Sequence, residues 1–459
     1  MERIERLLAA SLFALLAMMP LAAQAPARIT LVRAGRLLDP RTGNVLSPAA
    51  VLIEDGAVRE VGTPANVRLA SRTGVNVIDL GSATLLPGLI DAHTHLLLDV
   101  IVPPESEIQR HDNGRFAPGL LLAIVESPSK RALMGAQLAR EDLESGITTV
   151  RNLGHSGFDG DTELRDAINA GRIVGPRVQA SGRKLIAQGS YLKNLNPVLA
   201  SVILDQEFLL VEGIDRARQA VRQNVFQNVD VIKVTVGEDI SVPELTAVID
   251  EAHRQHLKVA VHAIDPASIQ TAIDAGADSV EHANQITDDQ LKQLREKGIF
   301  LDLTPTSYGG FFQRIMEPRL VLSHAFQADN ARADDRAQKR YEALIQRVLK
   351  SGVKVSAGSD MCWSYPGKTR GQASIATFVK LRDAGMPALD VIRAITVNAA
   401  DMLGWGDRIG AIEPGKLADL IAVAGDPVTD LHELERVRFV MKGGQVIRND
   451  LQTSVGTRP

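Results

Sequence analysis

One stretch constrains this chain more than any other: Leu85-Leu86-Pro87-Gly88-Leu89-Ile90-Asp91-Ala92-His93-Thr94-His95-Leu96, an apolar run ending in two histidines one residue apart. Successive side chains of a strand point to opposite faces, so His93 and His95 share a face and can bind one metal ion or two adjacent ones. With ten histidines in 459 residues, chance supplies about 0.2 such pairs, so the pair takes its meaning from context. Pro87-Gly88 opens the strand, Leu89-Ile90 bury it, and polar residues arrive only at its carboxyl end, where barrel enzymes carry their chemistry. Two unpaired imidazoles are costly to bury without such a purpose.

The length leaves room for one large domain with a smaller companion. The formal charge of −4, from 51 basic and 55 acidic residues, offers no basic surplus to hold a phosphate backbone, which excludes nucleic acid as the expected partner. Arg3 and Arg6 precede an apolar run from Leu7 to Met19, and Ala23-Gln24-Ala25 has the small-x-small pattern of a cleavage site. Residues 1–25 therefore read as a signal peptide, too short in its apolar core for a comfortable membrane span. The mature protein is expected to be periplasmic or secreted, with no stable membrane anchor after cleavage. Cys362 is the only cysteine, so no internal disulfide can form, and it reads as a small buried apolar group.

Short strands fill both ends of the chain. Ala50-Val51-Leu52-Ile53 and Ala57-Val58-Arg59-Glu60-Val61 flank Glu54-Asp55-Gly56, a hairpin signal, and Asp419–Val423, Val437–Met441 and Gln445–Ile447 repeat that grammar around Gly443-Gly444. A composite β-sandwich domain is expected from residues 26–84 and 407–459. Between them, apolar runs alternate with helical stretches. The His93 strand is followed by Ile147–Val150, Arg177–Ala180, Val229–Val234, Lys258–His262, Ser279–His282, Gly298–Leu303 and Lys354–Ala357, with amphipathic segments such as Pro243–Gln255 and Asp288–Lys297 between. That makes eight, so residues 85–406 read as a (β/α)8 TIM-type barrel of the α/β class.

Metal-capable residues recur at the ends of these runs. Lys233 sits in strand four, His262 ends strand five, His282 ends strand six, and Asp360 follows strand eight in Ala357-Gly358-Ser359-Asp360. A single buried histidine is ordinarily a hydrogen-bonded core residue; several, each at the end of a separate strand, are a site. Neutral imidazoles and a carboxylate suit Zn²⁺. An ammonium at Lys233, amid Val231, Ile232 and Val234, is costly and repels a cation, whereas the neutral amine can take up CO₂ to become an anionic carbamate. His253 and His256 precede strand five and fall at the opposite end of the barrel, while His111, His324 and His432 lack a strand-end context. His155, in the loop after strand two, lies on the chemical face and is expected to touch substrate.

These residues look like the ligand set of the amidohydrolase superfamily. Ile147-Thr148-Thr149-Val150-Arg151-Asn152-Leu153-Gly154, Val397-Asn398-Ala399-Ala400 and Gly410–Leu420 are also similar to it, so the resemblance spans almost the whole mature chain. It implies two Zn²⁺ per chain bridged by carboxylated Lys233, with His93, His95 and Asp360 on one ion and His262 and His282 on the other. It also implies a shared hydroxide as nucleophile and Asp360 as the group that shuttles its proton to the leaving nitrogen. Relatives are commonly homo-oligomers.

Within the superfamily, Val-Ile-Lys-Val in strand four with the Thr-Thr-Val-Arg-Asn-Leu-Gly segment resembles the branch of Xaa-Pro dipeptidases, imidazolonepropionase-like proteins and ochratoxin-hydrolysing amidases. That implies a small-molecule amide or peptide substrate with a free carboxylate, which Arg183, Lys184, Tyr191 or Lys193 in the loop after strand three could meet. The chain departs from the branch here: Ile186-Ala187-Gln188-Gly189-Ser190-Tyr191 stands where many members carry Gly-Gly-His-Gly, which bears on the leaving amino acid and not on the metal chemistry. Tyr308, Phe311, Phe312, Trp363 and Tyr365 suggest an aromatic mouth for a bulky substrate. Two other readings stay open: a mononuclear enzyme that opens a cyclic amide or deaminates a heterocycle, and a catalytically silent metal-binding relative.

Overall fold

The computed structural model describes residues 29–67, 74–99, 125–192, 196–237, 239–305, 324–363 and 367–451. The eight anticipated barrel strands form at Leu89–Thr94, Ile147–Asn152, Arg177–Ala180, Val231–Thr235, Lys258–Ala263, Ser279–His282, Phe300–Leu303 and Val355–Ala357. Neighbours run parallel from strand one to three and from four to eight. The gap between three and four is closed by Asp230 N–H on the Ala180 carbonyl, 2.8 Å, and by Leu185 opposite Val234 in a short continuation of strand three, Lys184–Ile186. Strand eight meets strand one through Asp360 N–H on the His93 carbonyl, 2.6 Å, and His95 N–H on the Met361 carbonyl, 3.1 Å. The barrel is therefore sealed by residues of its own chemical face.

The helices between the strands begin and end where local chemistry dictates. Ser241 and Glu244 cap Val242–Arg254 reciprocally, and Thr287 and Gln290 do the same for Asp288–Lys297, which stops at Gly298 in the left-handed region. The first of these buries Leu245, Val248, Ile249 and Ala252 against the barrel, each larger side chain stabilising by roughly 1.5–3 kcal/mol.

Two further sheets flank the barrel. Strands from both chain ends share a six-stranded mixed sheet in the order Gln445–Asn449, Phe439–Lys442, Leu420–Val423, Thr84–Pro87, Arg36–Leu38, Val45–Leu46. A four-stranded sheet of Ala57–Gly62, Ala49–Glu54, Ile29–Ala34 and Asn76–Asp79 covers one of its faces, with Val32, Val51, Ile53, Leu85, Leu420 and Phe439 between them. Its other face supplies Leu86, Ile421, Val423 and Val440 to the barrel cluster. The alternation of Leu85 and Leu86 thus joins two cores. The expected hairpins turn at Asp55-Gly56 and Gly443-Gly444, all four residues at positive φ, and the tips touch: a side chain at Gly56 would lie 2.7 Å from the Gly443 carbonyl.

Gly88 is the step from sheet to barrel. A Cβ there would stand 2.2 Å from Thr148 Oγ1 and 2.8 Å from Thr148 Cβ, so strand one can approach strand two only without a side chain at this point. Gly88→Ala is expected to cost roughly 1–3 kcal/mol in urea unfolding. A loss below about 0.5 kcal/mol, the size of an ordinary surface change, would contradict that close approach.

Candidate metal centre

His93 and His95 project from the end of strand one and each is oriented by a bond to its Nδ1. His93 Nδ1 lies 2.9 Å from Glu281 Oε2, and His95 Nδ1 lies 3.1 Å from the Gly154 carbonyl. With Nδ1 donating, both Nε2 lone pairs are left for the site: they stand 3.6 and 3.1 Å from Asp360 Oδ1. One ligand atom from each of these three side chains falls within 4.8 Å of the others, a spacing a single ion can span. His282 packs beside them, its ring 4.8 Å from that of His93 and 4.5 Å from that of His262, with Nδ1 2.6 Å from Thr304 Oγ1. Burial drives the imidazoles of His93, His262 and His282 well below their ordinary pKa and lowers that of His95, so each keeps the lone pair a metal needs.

Lys233 is 1% exposed in the midst of this cluster, and its Nζ has no hydrogen-bond partner among the described residues. Burial lowers its pKa to about 8, with Glu281 pulling the other way. An orphaned amine among metal-ready imidazoles fits a group that is meant to carry something else, and the donor set as a whole fits divalent zinc.

Sequence reasoning missed the layer beneath. Arg151, 2% exposed, donates from Nη2 to both oxygens of Glu281 at 3.0 and 2.9 Å, from Nη1 to Ser279 Oγ at 3.2 Å and from Nε to the Ala92 carbonyl at 2.5 Å. Asp302 sits alongside, its carboxyl pushed well above the usual carboxylate range by burial and by the charge of Glu281. His93, Glu281 and Asp302 also come within 4.8 Å of one another, but Arg151 already occupies both oxygens of Glu281, so this trio supports His93 and does not hold an ion of its own. Asp91, fully buried, accepts from the backbone of His93 and from both donors of Ser359, tying strand one to the Asp360 turn. The available signal was a charged residue in the middle of a barrel strand, next to a buried apolar neighbour, as at Asp91, Arg151 and Glu281.

Of the residues proposed to meet substrate, the structure brings two to the cluster. His155, at φ 57°, places its ring 5.1 Å from that of His95, and burial holds it neutral. Lys184 runs across Gly154, where a Cβ would lie 2.4 Å from Lys184 Cγ, and burial followed by the charge of Lys233 lowers it to about 7. Arg183 is not brought there. From the break between Ala180 and Lys184 it donates to the Asp205 carbonyl at 3.2 Å and stacks on Phe158 at 4.5 Å. Trp363 is buried. The side chain of Tyr191 and all of Lys193, Tyr308, Phe311, Phe312, Tyr365, His111 and residues 1–25 lie outside the described residues. His253 is exposed against Asp278 at the far end of the barrel, as anticipated, and Cys362 is only partly buried.

A model of the amidohydrolase family matches residues 84–447. The chain belongs to the amidohydrolase family. It is a hydrolase of carbon–nitrogen bonds, and the histidine–aspartate cluster is a candidate metal site of that family's kind. An ochratoxinase of Aspergillus niger is 28% identical over 458 residues, covering 92% of this chain and 87% of that protein. An imidazolonepropionase of Porphyromonas gingivalis is 24% identical, covering 87% of this chain and 89% of its own. A solved Xaa-Pro dipeptidase with methionine bound in its active site is 26% identical with a TM-score of 0.73, covering 92% of this chain and 100% of that one.

The neutral imidazoles carry a pH signature. The unfolded chain binds protons below about pH 6.5 that the fold refuses, so each contributes stability that is complete above that value and lost as pH falls below it. Asn tolerates the positive φ of 68° at position 282, so His282→Asn removes one such group with little strain. In metal-free protein, wild type is expected to lose stability relative to this variant only below pH 6.5, by up to about 1.4 kcal/mol per pH unit. Thermal melts of both from pH 8 to 5 check this; a gap that does not move with pH contradicts the neutral state.

Proposed function

We propose that the chain is an exported, zinc-dependent amidase that cuts an amide or peptide bond whose leaving amine carries a free carboxylate. Dipeptides and N-acyl amino acids are the substrate class, with aryl-acyl phenylalanine amides such as ochratoxin A among them. The observation that carries this reading is Lys233: a buried amine beside the histidines and Asp360, with no hydrogen-bond partner among the described residues. Addition of CO₂ to the neutral amine, with loss of one proton, would make an anionic carbamate at Lys233, and His93, His95 and Asp360 with His262 and His282 would be the residues that hold the ions beside it. The zinc pair, when bound, supplies Lewis acidity for the scissile carbonyl and a means of lowering the pKa of water.

The chain's own groups do the rest. Asp360 is placed to take the proton of the attacking water on a carboxylate oxygen and to return it to the leaving nitrogen. Lys184, an ammonium once a carboxylate lies beside it, anchors the acid end of the substrate, and neutral His155 offers a ring N–H next to His95. Kinship to ochratoxinase and Xaa-Pro dipeptidase supports a terminal amino acid as leaving group, while kinship to imidazolonepropionase favours the cyclic-amide alternative. Export is supported by the composition of residues 1–25, and among the described residues no helix is long and apolar enough to cross a membrane.

Zinc content per chain, measured on protein purified with bicarbonate and no chelator, is expected to be two; one ion per chain would favour the mononuclear cyclic-amide enzyme. Lys233→Ala should lose one ion and its activity, with partial rescue by short carboxylic acids, and unchanged metal content would reject the bridge. Asp360→Asn should keep at least one ion while hydrolysis drops by about 100-fold or more, and near-full turnover would remove its proton role. Lys184→Met should lower kcat/KM for acids about 10- to 100-fold and leave the corresponding amides far less affected. Equal losses for both would reject the carboxylate anchor.

A further inference from the structure

Arg370 opens the helix Arg370–Asp383 that follows strand eight, and it is 5% exposed. Among the described residues no carboxylate comes within ion-pair distance of its guanidinium. Instead Nη2 alone donates to three oxygens: Thr94 Oγ1 at 2.7 Å, the His95 carbonyl at 3.1 Å and the Met361 carbonyl at 2.6 Å. Each of these belongs to a proposed ligand or to its neighbour in sequence, since Thr94 lies between His93 and His95 and Met361 follows Asp360. The Met361 carbonyl also accepts His95 N–H, one of the bonds that closes strand eight on strand one. The guanidinium therefore sits on the barrel's closing seam, behind the ligands.

Its remaining nitrogens are buried without partners among the described residues, and so are polar atoms on the neighbouring helix turn and the helix packed against it. Nε and Nη1 of Arg370, both oxygens of Asp142 and the hydroxyl of Ser374 are all buried, with no hydrogen-bond partner among the described residues. Asp142 and Ser374 are 0% exposed. Asp142 belongs to the helix Pro128–Glu144, which is pressed against the Arg370 helix: Arg370 N–H donates to Glu141 Oε2 at 2.9 Å, and a Cβ on Gly371 would lie 2.7 Å from the Glu141 carbonyl. Ser374 follows Arg370 by one helical turn, on the same face. Burial raises the Asp142 carboxyl to about 8, and Arg370 is the foremost charge that works against that rise. Buried donors and acceptors collected in one place without protein partners are the pattern of a cavity that ordered water completes.

We propose that Arg370 is a positioning residue for the metal centre, clamping the end of strand one to the end of strand eight so that His93, His95 and Asp360 keep the spacing of a single ion. Asp142 and Ser374 hold its other nitrogens through buried water. The clamp rests on the metal-centre reading above. A site of this kind tolerates displacements of only about 0.5 Å, and the seam it crosses carries few ladder bonds. Supports of this sort typically alter metal affinity about 10- to 100-fold.

The experiment uses zinc-loaded, full-length protein and follows transfer of zinc to a chelator, beside urea unfolding of the same samples. Arg370→Lys keeps a buried cation but cannot span three oxygens and the buried water together, and it is expected to release zinc about 10- to 100-fold faster. Asp142→Asn, which preserves shape and still binds water, should release it faster by a smaller factor. Release within twofold of wild type for Arg370→Lys overturns the clamp, and so does a fall in stability with an unchanged release rate, which marks a merely structural residue. Wild-type protein that takes up no zinc at all overturns the metal centre itself, and the clamp with it.

Discussion

A guanidinium placed inside a closed barrel has to be met by charge and by acceptors, and in this protein that requirement shapes the floor of the site. Arg151 reaches from strand two across the interior to Glu281 on strand six, and Glu281 in turn fixes His93 on strand one. Three strands that are not all neighbours are thereby held in one arrangement by a chain of hydrogen bonds. An apolar layer of Val and Leu would fill the same space, but it could not choose the tautomer of His93. Removing either charge would leave the other buried and uncompensated, a penalty of about 3–5 kcal/mol. The layer is therefore stable only as a whole, which makes it a rigid seat for the groups above it.

The backbone above that floor is held in conformations that non-glycine residues seldom adopt. His155, His282, Ala283 and Asp360 all have positive φ, and they make up four of the seven such residues among those described. Each costs on the order of 1–3 kcal/mol and persists only where its surroundings leave no alternative. Here the surroundings are visible. Arg131 holds the carbonyl of His155 and pairs with Glu207, both fully buried, while Asp91 and Arg370 hold the turn that carries Asp360. The strain and the buried ion networks are two sides of one arrangement, in which rigidity is concentrated around the histidines.

How much of this could be read in the sequence depended on distance along the chain. The strands, the two glycine-bearing hairpin turns and the histidines at strand ends are signals within a few residues, and all were legible. Arg151 and Glu281 are 130 residues apart, and Arg370 meets Thr94 across 276, so neither pairing leaves a local mark. Lys184 and Arg183 show a subtler limit. Both are cations in the right loop, and which one faces the histidines depends on strand parity, but strand three breaks after Ala180 and resumes at Lys184 past Gly182 at φ 64°. Parity cannot be counted across such a break. The pattern of alternation was sound on either side of it and silent about the join.

The meeting of the two hairpin tips has a consequence for the order in which the molecule can be made. Leu420–Val423 pairs with Thr84–Pro87, and the Gly443-Gly444 turn lodges against Gly56, so the six-stranded sheet begun at Arg36–Leu38 waits for strands made only after the whole barrel. Until they emerge, the edge of Thr84–Pro87 stands open and the apolar faces of both sheets lack cover, a state exposed to pairing with other chains. A ribosome that stops short of residue 420 would leave a fragment holding every proposed metal ligand, yet without three of the six strands of the sheet that packs on its barrel. The strands from Leu420 onward act as the lock of this fold, and the lock is set after the barrel.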